Sequence, residues 1–188
     1  APAKPAIPEA AAASFGERAR LGAIAGDLET ERDADRLRAA GIRATTITTG
    51  SACHLDAEMV HRALHVFPWR DLDYLFTANV GNLVWPAIYD LGQAANVVAL
   101  SVTEGEDKPL KYAVMFRKAD LVLLTKVDLL PHLTLDMAAL EDALARVMPR
   151  PALLRVSART GEGLPAWREW LGMQRSAVPE VRATPIGA

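Results

Sequence analysis

The sequence predicts an α/β fold in which a mostly parallel sheet is flanked by helices. Three observations lead there. With 188 residues, 51% apolar and 23% charged, the chain is long enough for one domain with a real core and has an ordinary soluble balance. From Arg20 onward, short apolar runs alternate with amphipathic stretches, the signature of repeated strand–helix units. The polar motifs fall directly after the apolar runs, at the carboxyl ends of the predicted strands, where open parallel sheets bind their ligands.

Residues 1–13, APAKPAIPEAAAA, are rich in Ala and Pro and carry no period, which predicts a mobile leader over 1–19 that runs into a short helix near Ala10–Arg20. The α/β domain then spans 20–172. Its strands are expected at Leu21–Ala25, Ala44–Thr48, Leu72–Phe76, Val97–Val102, Leu121–Thr125 and Ala152–Val156. The helices between and after them are Glu31–Ala40, Asp56–Phe67, Leu110–Lys118, Met137–Val147 and Leu164–Leu171. Gly41 stands where a helix C-cap is needed. Pro149 and Pro151 separate the fourth interstrand helix from the last strand. Residues 173–188 contain Pro and Ala and read as a loose tail, and no internal repeat is present.

Several function classes are disfavoured. The net charge is −2 and no Lys/Arg block stands out, which argues against nucleic acid as the main partner. A single Cys excludes an internal disulfide framework and fits a reducing cytoplasm. No apolar stretch reaches the roughly 18 residues of a membrane span. The first residues lack the basic start and apolar centre of a signal peptide.

The strand-end motifs are GDLET at 26–30, TGSACH at 49–54, NVGN at 79–82, TEGED at 103–107, TKVD at 125–128 and SART at 157–160, and their shared placement predicts one composite site. In TKVD, Asp128 can accept two hydrogen bonds from the guanine edge and Lys126 can lay its stem along the ring. Such a hydrogen-bonded site can reject a base lacking the donors by roughly 10⁴-fold. Ser157-Ala158-Arg159 follows another apolar run, and its backbone N–H groups can meet the guanine oxygen. The alternative for Thr125, Lys126 and Asp128 is a solvated turn. A guanine nucleotide also needs a phosphate cradle, G-x-x-x-x-G-K-[ST]. The five lysines are Lys4, Lys108, Lys111, Lys118 and Lys126, and none follows Gly or precedes Ser or Thr, so that cradle is absent from these residues.

GDLET, TGSACHLDAEMVHRAL, NVGNLVWPAIYDLG, LSVTEGEDKPLKYAVMFRKADLVLLTKVDLLP and SARTGEGLPAWREWL together resemble the hydrogenase nickel-incorporation GTPases of the HypB type. The resemblance covers about residues 20–172. It implies a P-loop GTPase-like α/β fold of the SIMIBI type with the first strand, phosphate loop and first helix missing. It also implies a cytoplasmic metallochaperone for hydrogenase and urease maturation, which binds GTP, magnesium and nickel or zinc, works with hydrogenase maturation proteins, and dimerises when loaded. Three departures stand against it. The Ala/Pro leader replaces the family's phosphate-loop region, Ala78 replaces a Glu of the nucleotide site, and Trp85 replaces a second metal-binding Cys. The first fits a truncation or a gene-model artefact. The other two lie within an otherwise intact segment, and together the three imply a degenerate member with hydrolysis weak or lost.

By the same resemblance, Cys53 and His54 are the metal pair, thiolate and imidazole suiting Ni²⁺ or Zn²⁺, and a two-fold dimer would complete a Cys₂His₂ set. The plainer reading makes Cys53 a small buried hydrophobe and His54 a helix flank. The resemblance assigns Asp27, Thr30 and Gly81 to the switch region around Mg²⁺ and the γ-phosphate. Otherwise Asp27 is a turn residue and Thr30 an N-cap. His61 and His65 share one helix face with Glu58 and read as a solvated stripe or as accessory ligands. A nucleophile–base pair of Cys53 and His54 is disfavoured, since adjacent residues rarely face each other and no third orienting group is evident. Two function classes stay open: a GTP-dependent nickel metallochaperone, and a non-catalytic metal- or partner-binding module derived from one.

Overall fold

In the computed structural model, residues 6–27, 32–49, 54–79 and 89–177 are described. In chain order the elements are α1 (Ala6–Phe15), β1 (Leu21–Asp27), α2 (Arg32–Ala39), β2 (Arg43–Thr48), α3 (Ala57–Val66), β3 (Tyr74–Ala78), β4 (Val97–Ser101), α4 (Lys108–Lys111), α5 (Ala113–Arg117), β5 (Leu121–Thr125), α6 (Met137–Val147), β6 (Leu153–Val156) and α7 (Leu164–Ala177). All strand pairings are parallel, as the alternation of runs predicts.

The strands form two three-stranded sheets, β2-β1-β3 and β4-β5-β6, and among the described residues no ladder joins them. Among the described residues β2, β3, β4 and β6 each end a sheet, so four strands carry edge donors and acceptors.

One core serves both sheets. Leu21 and Ala23 of β1, Leu121 and Leu123 of β5, Val156 of β6 and Trp167 of α7 are buried in it, and Phe76 of β3 and Val97 of β4 pack against it. The alternate residues Val122 and Leu124 face a second core with Val98, Leu100, Phe116, Leu140 and Leu144. That alternation makes β5 buried along its whole length, as a parallel strand covered on both faces must be. In β1, Gly22 and Gly26 leave room for Leu72 and Leu55: an added Cβ would lie 2.2 Å from Leu72 Cδ1 or 2.9 Å from Leu55 Cγ.

The N-terminal region differs from expectation. The short helix expected near Ala10–Arg20 instead spans Ala6–Phe15, inside the stretch read as a mobile leader, with Ala10 and Ala11 fully buried. Small side chains let it lie close to β1 and α7, but they give little amphipathic contrast to read. Its polar anchors come from far along the chain. Ser14 Oγ donates to Leu164 O (2.9 Å), Arg168 donates to Ser14 O (3.2 Å), and Arg36 donates to Glu9 (2.7 Å).

At the other end α7 runs past Leu171 to Ala177, so the first residues of the expected tail are helical, and 178–188 lie outside the described residues. Arg175 accounts for the extension, reaching Asp73 Oδ1 (3.0 Å) while its guanidinium sits 5.8 Å from the Tyr74 ring centroid. The helix expected at Leu110–Lys118 starts earlier, with Pro109 in its first turn, and breaks at Tyr112 (φ −119°, ψ 41°), whose ring packs on the second core. Gly41 does cap α2, at φ 79°, with Ile42 N donating to Leu37 O (3.0 Å).

Candidate functional site

The carboxyl ends of β5 and β6 hold a polar cluster that joins Asp128, Ser157 and Arg159. β5 ends at Thr125, buried, its hydroxyl directed to Leu100 O (3.3 Å). Lys126 then adopts the left-handed region (φ 60°, ψ 36°), and no other non-glycine described residue has positive φ. A conformation costing about 1–2 kcal/mol persists only where its surroundings hold it. Here it turns the chain so that Asp128 faces back across to β6. Leu129 N closes the turn on Lys126 O (2.9 Å).

Both carboxylate oxygens of Asp128 are engaged. Ser157 Oγ donates to Oδ1 (2.6 Å) and Arg159 Nε donates to Oδ2 (2.9 Å). Ser157 is fully buried, and its oxygen also accepts from Thr160 N (3.2 Å). The Ser157 hydroxyl first, with the Arg159 charge assisting, holds the Asp128 carboxyl below its ordinary value, so it stays ionised and acceptor-only at neutral pH. The 157–163 turn closes with Ser157 N donating to Glu162 O and Gly161 N to Ser157 O. Gly163 is required: its φ is +71° and a Cβ would lie 1.8 Å from Arg155 O. Lys126, Asp128, Leu129, Ala158 and Arg159 line one open hollow of about 330 Å³. The residues named in TKVD and SAR thus converge. Leu129 joins them unforeseen, although an apolar residue directly after a polar loop was a readable signal.

Thr30, Cys53 and Gly81 lie outside the described residues, as does Trp85, and Asp27 is described only as the last residue of β1. His54 is stacked on Tyr89, ring centroids 4.2 Å apart and planes within 6°, a contact nothing in the local sequence announces. Asn79 accepts from Leu55 N (2.9 Å), tying the end of β3 to the turn before α3. Ala78 ends β3. Asp56 caps α3 by accepting from Met59 N (2.7 Å). In the segment after β4, Glu104 pairs with Lys108 (3.3 Å). Asp107 is held low and Lys111 high, each chiefly by the hydrogen bond between them.

Residues 13–155 match the family described as CobW/HypB/UreG, nucleotide-binding domain. The chain belongs to that family. Within it the similarity is to HypB. The hydrogenase maturation factor HypB of Azotobacter chroococcum is 52% identical over 163 residues, covering 87% of this chain and 53% of that protein. HypB of Escherichia coli is 49% identical over 154 residues, covering 82% and 53%. The crystal structure of HypB from Helicobacter pylori in complex with nickel superposes with a TM-score of 0.84 at 35% identity, covering 92% of this chain and 81% of that one. This HypB-type chain spans about half the length of the curated relatives it matches.

Proposed function

We propose that this HypB-type chain carries the base-reading half of a GTP-dependent nickel metallochaperone that serves hydrogenase maturation in the cytoplasm. The observation that carries the reading is the Asp128–Ser157–Arg159 cluster at the mouth of a hollow also lined by Lys126 and Ala158. An ionised carboxylate fixed by a buried hydroxyl matches the two N–H donors of the guanine edge, and the Ala158 and Arg159 backbone N–H groups serve the guanine oxygen. Thr125 sets where that loop begins.

In this reading Asp27, Thr30 and Gly81 sense Mg²⁺ and the γ-phosphate. Cys53 and His54 hold nickel or zinc, completed to four ligands across a homodimer. The similarity to a HypB crystallised with nickel supports nickel as cargo. These residues contain no G-x-x-x-x-G-K-[ST], so hydrolysis requires a phosphate-binding segment outside them, because phosphate contacts and Mg²⁺ stabilise phosphoryl transfer.

Titrating this polypeptide with a fluorescent guanine nucleotide in Mg²⁺ tests the reading. The expected result is a Kd weaker than about 10 µM, roughly 7 kcal/mol, with guanine preferred over adenine. Equal binding of both bases would sink it. A second reading, a non-catalytic metal- or partner-binding module, is favoured by Ala78 and Trp85 standing where the family carries Glu and Cys. Metal titration of Cys53→Ala addresses it: unchanged stoichiometry and affinity would remove Cys53 from the metal site.

A further inference from the structure

We propose that His61 and His65 form a second, labile site for a borderline divalent cation on the outer face of α3, separate from the Cys53–His54 pair. The two residues are four apart on the helix and both exposed, and their Nε2 atoms approach to 3.1 Å with ring planes at 88°. One imidazole donates to the other's lone pair there, which holds the two Nε2 atoms within chelating distance of each other.

That separation is what a shared metal asks for. With metal–nitrogen bonds of about 2.0–2.1 Å, two ligands at a right angle lie about 2.9 Å apart, and at the tetrahedral angle about 3.3 Å. The observed distance falls between them, so a cation needs the two rings only to swing their lone pairs off the N···N line toward a common point, with no change in their separation. The donor imidazole needs only to carry its proton on Nδ1, leaving both Nε2 lone pairs free. Two histidines in this register on one helix are the pairing used by zinc-binding H-E-x-x-H helices.

The neighbours do not oppose it. The nearest cationic side chain along the helix, Arg62, is within 3.7 Å of Glu58, which balances its charge. Among the described residues no group of three or more His, Cys, Asp or Glu is placed to hold a metal, so water must fill the remaining positions. Imidazole selects Cu²⁺, Ni²⁺ and Zn²⁺ over Mg²⁺ or Ca²⁺. An exposed bidentate site holds such an ion weakly and releases it quickly.

The proposal does not rest on the guanine or Cys53 readings, and its test runs in a Cys53→Ser background. Equilibrium dialysis against Ni²⁺ and Zn²⁺ at pH 7.5 reads affinity and stoichiometry. Proton NMR reads broadening of the His61 and His65 ring signals by substoichiometric Ni²⁺. Circular dichroism checks that the fold is kept. We expect one weak equivalent that broadens both rings. Its affinity should fall at least about tenfold in His61→Gln and in His65→Gln. It should also be lost when the spacing alone is changed, in the double variant His65→Val, Val66→His. Retention of the equivalent in either single variant, or in the respaced one, would overturn the chelate.

Discussion

The two sheets divide the site differently. In β4-β5-β6 the polar rim residues bind one another: Asp128 joins the loop after β5 to the loop after β6, and the left-handed Lys126 aims it. In β2-β1-β3 the described rim contacts are Asn79 to Leu55 N and the stack of His54 on Tyr89. The strands differ in kind as well. β5 is five large or β-branched residues, all buried, whereas β1 reads LGAIAGD, with glycines that admit Leu72 and Leu55. Reading a base is a local task that two adjacent strand ends complete. In the proposed reading, Mg²⁺, the γ-phosphate and a transferable metal draw on the loops after β1, β2 and β3, where Thr30, Cys53 and Gly81 lie outside the described residues. The proposed base-reading cluster is accordingly the part of the rim whose side-chain contacts are described in full.

The comparison predicts where glycine substitutions hurt most. In the second half, Gly163→Ala places a Cβ 1.8 Å from backbone, at Arg155 O, in a left-handed conformation. Both faults are rigid, and the loss should be about 4 kcal/mol, with the Ser157 turn loosened. In the first half, Gly22→Ala meets side chains and no backbone, Leu72 Cδ1 at 2.2 Å and Phe67 Cε1 at 3.2 Å, and should cost about 1–3 kcal/mol. Denaturant midpoints of the two variants give the order directly. A Gly22 loss equal to or above the Gly163 loss would mean that the first sheet is the more rigid.

Next in size is Asp128→Asn. An amide keeps one acceptor and adds a donor where guanine offers two donors, so guanine preference over adenine should fall about 100-fold, within the ceiling such sites reach. Competition between the two nucleotides reads it. Unchanged preference would place base recognition elsewhere.

Much of this was legible in the sequence because the signals were local. Leu121–Thr125 and Met137–Val147 match their predicted bounds, one a continuous apolar run and the other opened by Asp136, whose side chain accepts from Ala138 N and Ala139 N. The convergence of TKVD with SAR followed from strand order. The helix expected near Ala10–Arg20 lies earlier, at Ala6–Phe15, because it is held by tertiary contacts, from Leu164, Arg168 and Arg36, that no local window contains. The break at Tyr112 is likewise a packing effect overriding helix propensity. The Tyr89 stack on His54 joins residues 35 positions apart (89 − 54) with no periodic relation. The Asp128–Ser157–Arg159 cluster was therefore easier to foresee than the surroundings of His54.

Arg159 offers a smaller effect. In this structure it occupies Asp128 Oδ2, an acceptor that guanine would need, while its own side chain is 77% exposed. An exposed partner contributes little and is screened by salt. Arg159→Ala should therefore tighten guanine binding about threefold at low salt and leave it nearly unchanged at high salt. Weaker binding at both salts would instead make the guanidinium part of the nucleotide contact.

The smallest expected effect compares the halves through pH. Asp73, just before β3, accepts from Arg20 N (2.8 Å) at the start of β1 and from Arg20 Nε, and it meets Arg175 of α7. The Arg20 backbone hydrogen bond first, then the Arg20 side chain and the Arg175 charge, hold its carboxyl below the ordinary 3.8. Asp128 is held low in the other half by Ser157 and Arg159. For both, the folded state binds the proton less readily than the unfolded chain. Their stabilisation is fully present above the unfolded value and is lost as pH falls through the lower folded one. Denaturant midpoints measured from pH 6 down to about pH 3 should therefore fall. Asp73→Asn and Asp128→Asn should each lower the midpoint at pH 6 and flatten that fall. Because one core contains residues of both sheets, tryptophan fluorescence and far-UV circular dichroism should report the same single transition in each variant. Transitions that separate in Asp73→Asn but coincide in Asp128→Asn would show that the β2-β1-β3 half unfolds alone.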